Sequence, residues 1–127
     1  MLLLAALMIL SEDPCRVSSP SMADMRACNA QELKGVDRQL AISWQRALGR
    51  AQLADRLFRS EYGSSAGSAD WAEELKQSQI GWNRYRDAQC RSESNRMRPG
   101  NGTIGTELNC RIRIGKARIV ELDKHFD

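Results

Sequence analysis

The sequence predicts an all-α fold, an antiparallel three-helix bundle with two disulfides. Three observations indicate it. Apolar residues recur at three- and four-residue steps through three long stretches, glycine-rich segments separate these stretches, and the chain has four cysteines. The strand-like alternation of apolar and polar residues is missing, and the three prolines all stand near predicted loops.

The chain opens with an unbroken apolar run over residues 1–10, and polarity rises abruptly at Ser11. The run is too short to span a bilayer, which needs ~20 residues, and it matches the apolar part of a secretory signal peptide. We expect residues 1–11 to be a signal peptide or its remnant, with the true start upstream, and residues 12–127 to form one helical domain. The alternative for the apolar run is a buried N-terminal helical turn.

Composition limits the functional classes. The 127 residues suffice for one small core, which must be mainly aliphatic because only 6% of the residues are aromatic. The formal net charge is +3, with acidic and basic residues mixed along the chain. A nucleic-acid-binding protein would show a more focused basic face. We therefore expect no nucleic-acid partner, and no membrane span in the mature chain.

The cysteines support export. Cys15, Cys28, Cys90 and Cys110 allow three pairings, and disulfides are expected in a periplasmic or secreted protein. An antiparallel hairpin would bring Cys90 and Cys110 together, which leaves Cys15 and Cys28 as the second pair. The other pairings require the N-terminal arm to reach the second or third helix and are less local. His125 is the only histidine and has no accompanying ligand cluster, so we expect no metal and no cofactor.

The first predicted helix covers about residues 20–62. Ser19 followed by Pro20 is a start signal, a hydroxyl cap before a proline at the first helical position. Gly49 would weaken the helix by ~1 kcal/mol relative to alanine, so a break there is an alternative. The apolar residues that define the predicted buried face are Val36, Leu40, Trp44, Ala47, Leu48, Ala51 and Phe58.

The second predicted helix follows a flexible loop at residues 63–69 and runs from an Asp70 cap to about Asn95. Trp82 and Tyr85 are interpreted as core aromatics rather than a binding platform. Asp87 is expected to be a surface carboxylate or a partner of Arg84 or Arg91. The residues spaced to share one side of this helix are Leu75, Gln79, Trp82, Tyr85, Arg86 and Cys90.

The third predicted helix covers about residues 106–126, after a second loop at residues 97–106. Its apolar stripe repeats at steps of four and three, the most regular amphipathic pattern in the chain. The stripe consists of Leu108, Ile112, Gly115, Ile119, Leu122 and Phe126.

The second helix contains a specific motif, with Trp82, Tyr85, Arg86, Asp87 and Cys90 in the order W-x-x-Y-R-D-x-x-C. The wider pattern adds Cys28, Asp37, Leu40, Gln79, Cys110, Arg118 and Leu122. Together these residues resemble the LprI-type domain, a bacterial envelope family named after a mycobacterial lysozyme inhibitor. The resemblance covers nearly all of the mature chain. The sequence departs from the family's usual asparagine, tyrosine and threonine at Ala41, Trp44 and Gly115.

The resemblance implies a small, exported, cysteine-paired protein without catalytic activity. It implies a partner, lysozyme or another envelope protein, which this chain binds and inhibits. The alternative is a structural or stress-related periplasmic helical protein with no lysozyme activity. An enzyme is not expected, because Glu73 and Glu74 are adjacent and point in different directions, and Ser43, Ser78 and His125 lack the spacing of a triad.

Two sets of polar residues are candidates for function. Asp37, Arg86 and Arg118 are interpreted as an interhelical ion-pair network that fixes helix register, with a ligand site as the alternative. The predicted partner-binding residues form an acidic–aromatic patch suited to a basic lysozyme, with ordinary helix-start acids as the alternative. A contiguous acidic face there would favour the inhibitor, and an evenly mixed surface the structural protein. The patch consists of Glu61, Asp70, Trp71, Glu73 and Glu74.

Overall fold

The computed structural model describes residues 13–63, 70–100 and 102–124. Three helices follow in order: α1, Met22–Tyr62; α2, Trp71–Asn95; and α3, Thr103–Lys124. Each helix contacts the other two, and the described ranges contain no strand, so the predicted three-helix bundle is confirmed. Among the helices described, none combines the length and apolar character that a bilayer crossing requires. The predicted signal peptide, His125 and Phe126 lie outside the described residues.

The start of α1 differs from the prediction. Its cap is Ser21, whose Oγ accepts from the Asp24 backbone N–H at 3.1 Å, while the Asp24 carboxylate accepts from the Ser21 N–H at 2.9 Å. This reciprocal capping box satisfies two otherwise unpaired donors, which Ser19 and Pro20 would not do. The Ser21 backbone N–H and the Ser21 hydroxyl both donate to the Asp24 carboxylate, and these bonds lower the pKa of Asp24. The helix then continues through Gly49 without a break.

The core lies around Trp82, which is partly buried and packs against two clusters of buried residues. The first cluster contains Leu40, Ala47 and Leu122, and the second contains Cys90, Cys110 and Ile114. The assignment of Tyr85 to the core is wrong, because its side chain is 56% exposed. One large aromatic therefore joins the three helices, and its neighbour in the motif faces solvent.

Both predicted disulfides are confirmed. Cys90–Cys110 joins α2 to α3, and both of its residues are buried. Cys15–Cys28 joins the N-terminal arm to the first turns of α1. The chain-entropy picture gives each such closed loop roughly 3 kcal/mol of stabilisation.

The third helix begins at Thr103, three residues earlier than predicted. The Ser94 hydroxyl donates to the Thr103 carbonyl at 2.8 Å, which holds the two ends of the α2–α3 connection together. Gly115 lies where α3 meets α1: a Cβ added there would stand 2.7 Å from Val36 Cγ1. The absence of a side chain at this position therefore permits the close approach of the two helices.

The buried face of α1 differs from the prediction at one end. Phe58, predicted to be buried, is 39% exposed, whereas Asp55 is buried. The residues of α1 that are buried are Val36, Leu40, Ser43, Ala47, Ala51 and Asp55. A carboxylate on this face needs partners, and α2 supplies them.

Candidate protein-binding site

The predicted acidic–aromatic patch lies where α1 ends and α2 begins, and Asp55 organises this end of the bundle. Its Oδ1 accepts from the Trp71 backbone N–H at 3.2 Å, and its Oδ2 accepts from the Ala72 N–H at 3.0 Å. These donors would otherwise be unpaired at the start of α2. Asp70 stands at the N-cap position, but its side chain makes no capping bond, so the predicted capping by Asp70 is wrong. Asp55 thus fixes the position of Trp71 at the start of α2.

Three aromatic side chains are exposed near this junction. The rings of Phe58 and Tyr62 contact each other, with centroids 4.8 Å apart. Tyr62 is 58% exposed and Trp71 is 42% exposed. Phe58 and Tyr62 follow Asp55 at steps of three and four, so they lie on the same side of α1 as Asp55. The Asp55 carboxylate accepts from the backbone of Trp71, which brings the third aromatic to this side. The exposure of Trp71 was expected, whereas the other two aromatics were not assigned to the site.

The patch contains four acids, which are all exposed: Glu61, Asp70, Glu73 and Glu74. They differ in whether a cation lies beside them. Asp70 lies 4.0 Å from Arg59, and Glu73 lies 3.9 Å from Lys76. Within the described ranges, neither Glu61 nor Glu74 forms an ion pair. Two carboxylates of the patch are therefore balanced locally, and two remain available to a cation on a partner.

A groove of about 450 Å³ runs beside these acids, and its lining combines three carboxylates with three cations. The lining residues are Gln52, Asp55, Arg56, Arg59, Asp70, Ala72, Glu73 and Lys76. The acids therefore do not form one contiguous acidic face. In the described part of the chain, no group of three or more His, Cys, Asp or Glu side chains is suited to hold a metal.

The second candidate set divides into two arrangements. Arg86 Nη1 donates to Asp37 Oδ1 at 2.8 Å, which joins α2 to α1. The Arg86 guanidinium also lies 4.7 Å from the centroid of the Trp82 ring, within the range of a cation–π contact. Because the Arg86 side chain is only 14% exposed, it is engaged inside the bundle rather than presented to a ligand.

Arg118 does not join that pair. It is buried on α3 and donates to Gln79 Oε1 at 3.0 Å and to Ser78 Oγ at 2.9 Å, both on α2. It also pairs with Glu121, one turn further along its own helix. Its guanidinium lies 6.0 Å from the Trp82 centroid, so both buried arginines stand near the same ring. These contacts set the position of α3 against α2.

Asp87 of the motif forms an ion pair with a residue of another helix, Arg111 of α3. The expectation that its partner would be Arg84 or Arg91 is wrong. Arg111 Nη1 of α3 donates to Asp87 Oδ1 at 2.7 Å, and the same guanidinium also bonds Glu107. The hydrogen bond from Arg111 is the main reason that the pKa of Asp87 is lowered and that of Arg111 is raised. Asp87 is therefore a register contact between α2 and α3.

Comparison with protein families gives one match of broad extent. The family model described as Lysozyme inhibitor LprI matches residues 15–122, a range that includes all four cysteines, all of α1 and α2, and most of α3. Comparisons with curated proteins and with solved structures each gave no significant match.

Proposed function

We propose, because the chain belongs to the lysozyme inhibitor LprI family, that it is an extracytoplasmic protein that binds lysozyme and inhibits it without catalysing a reaction. The match over residues 15–122 is the observation that carries this proposal. It extends over the disulfide-linked helices rather than over a single short motif. The resemblance noted from the sequence is thereby confirmed at the level of the family.

The proposed location rests on the disulfides as well as on the family. Bridges such as Cys15–Cys28 and Cys90–Cys110 form and persist in oxidising compartments and are rare where thiols are kept reduced. A periplasmic or secreted protein would meet lysozyme in the compartment where lysozyme acts on the cell wall.

The acidic–aromatic patch is the proposed contact face. Exposed Tyr62 and Trp71 are of the residue types that dominate protein–protein hot spots, and α1 and Asp55 hold them on ordered helices. Glu61 and Glu74 form no ion pair with described residues and can pair with cations of a basic lysozyme. The face thus combines aromatic anchors with acidic neighbours.

A second candidate function is a structural envelope protein with no lysozyme activity. The mixed charge of the groove favours it, because Arg56, Arg59 and Lys76 reduce the attraction of this end of the bundle for a basic partner. The two candidates differ in whether lysozyme binds.

Calorimetric titration of the oxidised protein against several lysozymes separates them. The inhibitor proposal predicts saturable binding that Glu74→Lys weakens. The matched control, Glu32→Lys, makes the same charge change at an exposed ion pair with Lys116, and it should leave binding unchanged. Absence of saturable binding to every lysozyme tested would contradict the inhibitor proposal and leave the structural candidate.

A further inference from the structure

The ion pairs of the bundle leave its positive charge unevenly distributed. Most described carboxylates have a cationic partner: Asp13, Glu32, Asp37, Asp70, Glu73, Asp87, Glu93, Glu107 and Glu121. Asp24 and Asp55 instead accept from backbone N–H groups. Several arginines lie outside these pairs, and three of them, Arg38, Arg46 and Arg56, stand on one exposed surface of α1.

We name this surface the outer face of α1. Its members recur at three- and four-residue steps and are all exposed: Arg38, Ile42, Gln45, Arg46, Gly49, Leu53, Arg56, Leu57 and Ser60. No acidic residue interrupts it between Arg38 and Ser60. At 1.5 Å per residue, the face extends for about 33 Å. Within the described ranges, none of its three arginines forms an ion pair.

Large aliphatic side chains alternate with these arginines. Ile42 is 53% exposed, Leu53 is 48% exposed and Leu57 is 60% exposed. Helices that lie in the headgroup region of a membrane combine Lys or Arg with large apolar side chains on adjoining faces. On α1 both kinds share the exposed side, because the opposite side is buried in the bundle. The arginine stems can follow the apolar surface while their guanidinium groups reach the headgroups.

We propose that the outer face of α1 binds the surface of an anionic lipid bilayer. The negative headgroups would pair with Arg38, Arg46 and Arg56, and the aliphatic side chains would enter the boundary between headgroups and acyl chains. Because the face runs along one side of a single continuous helix, a flat and deformable surface can contact it along its length. A soluble polyanion would use the arginines and leave the aliphatics in water. This inference does not depend on lysozyme binding.

The test is sedimentation of the full-length oxidised protein with vesicles of phosphatidylcholine alone or mixed with phosphatidylglycerol. We expect binding only to the anionic vesicles, weakened by added salt. The variant Arg38→Gln/Arg46→Gln should lower the partition coefficient roughly tenfold or more. Leu53→Ser should lower it as well, with helical content unchanged by circular dichroism.

The matched control is Arg84→Gln/Arg91→Gln. It removes the same charge from two exposed arginines of α2 that also form no ion pair with described residues, and it should retain vesicle binding. An equal loss in the control would show an effect of net charge alone and overturn the proposal. If Leu53→Ser bound the vesicles as tightly as the parent protein, and the parent bound inorganic polyphosphate equally tightly, the face would be assigned to a soluble polyanion. That result would overturn the membrane proposal. Failure to bind anionic vesicles would do the same.

Discussion

Arg86 of α2 donates to Asp37 of α1 at 2.8 Å, across 49 positions of sequence, while its guanidinium lies against the ring of Trp82. One cation thus joins a helix–helix ion pair to the aromatic centre of the core. The Arg86 side chain is 14% exposed and that of Asp37 is 44% exposed, so the pair is only partly screened by solvent.

Asp37→Asn should therefore lower the free energy of unfolding by about 1–2 kcal/mol, because a mostly buried cation loses its charged acceptor. Urea unfolding of the oxidised protein measures this change. Glu32→Gln is the control, since it breaks a more exposed pair with Lys116 and should cost no more than about 0.5 kcal/mol. Equal effects of the two substitutions would contradict a special role for the Arg86 pair.

Gly115→Ala should destabilise the bundle by about 1–3 kcal/mol, although alanine favours helix. The new Cβ would stand 2.7 Å from Val36 Cγ1, and Val36 is buried and stiff at χ1. Gly81→Ala is the matched control: no atom lies within 4 Å of its added Cβ, so it should stabilise by up to about 1 kcal/mol. Val36→Ala should lessen the penalty at Gly115. Urea unfolding that shows stabilisation by both alanines would exclude the proposed close contact.

Asp55→Ala should cost about 1–2 kcal/mol, because two N–H groups at the start of α2 lose their acceptor. Asp70→Ala should cost at most about 0.5 kcal/mol, since its side chain makes no capping bond and its contact with Arg59 is long and exposed. Hydrogen exchange of the Trp71 and Ala72 amides provides a local measurement, and it should accelerate in the first variant only. Faster exchange in the Asp70 variant would assign the cap to Asp70 instead.

Asp87 predicts a pH dependence. The hydrogen bond from Arg111 lowers the pKa of Asp87 in the folded state, so its stabilising contribution is complete above the unfolded value of about 3.9. The contribution is lost as the pH falls from there through the lowered folded pKa. Because Asp87 is 48% exposed, the contribution should be below about 1 kcal/mol.

Asp87→Asn should therefore be less stable than the parent protein at pH 7, and the two should converge in strong acid. Thermal unfolding across this pH range measures the difference. A difference that widens as the pH falls would have the wrong sign for a carboxylate whose folded pKa is lowered.

Local periodicity is enough to predict the helices and one bridge. The stripe on α3 follows from the spacing of Ile112 and Leu122, both of which are buried. The Cys90–Cys110 bridge follows from a hairpin that brings two helix ends together. Trp71 was expected to be exposed because it stands in a first turn beside a glycine-rich segment, and it is.

The remaining features depend on contacts between distant segments. Asp55 stands four residues after Ala51 on the buried face of α1. The sequence pattern alone predicts an apolar residue at this position. Its role emerges only when the start of α2 lies beside it. Likewise, Arg118 was grouped with Arg86 and Asp37, but its partners are selected by the rotation of α3 against α2. For the candidate site, spacing did not show that Arg59 of α1 would stand beside Asp70. The contact of Lys76 with Glu73 is local, at a spacing of three residues, and could have been predicted.

The most direct test of the central claim is the rate of cell-wall lysis by lysozyme as the oxidised protein is added. We predict that lysis falls with saturation, and that Trp71→Ala shifts the inhibition curve to roughly tenfold or higher concentration. Tyr85→Ala, which removes an aromatic of α2 that is 56% exposed and lies outside the patch, should leave the curve unchanged. Lysis that continues at its full rate with an excess of the oxidised protein, for each lysozyme tested, would contradict the claim that this protein is a lysozyme inhibitor.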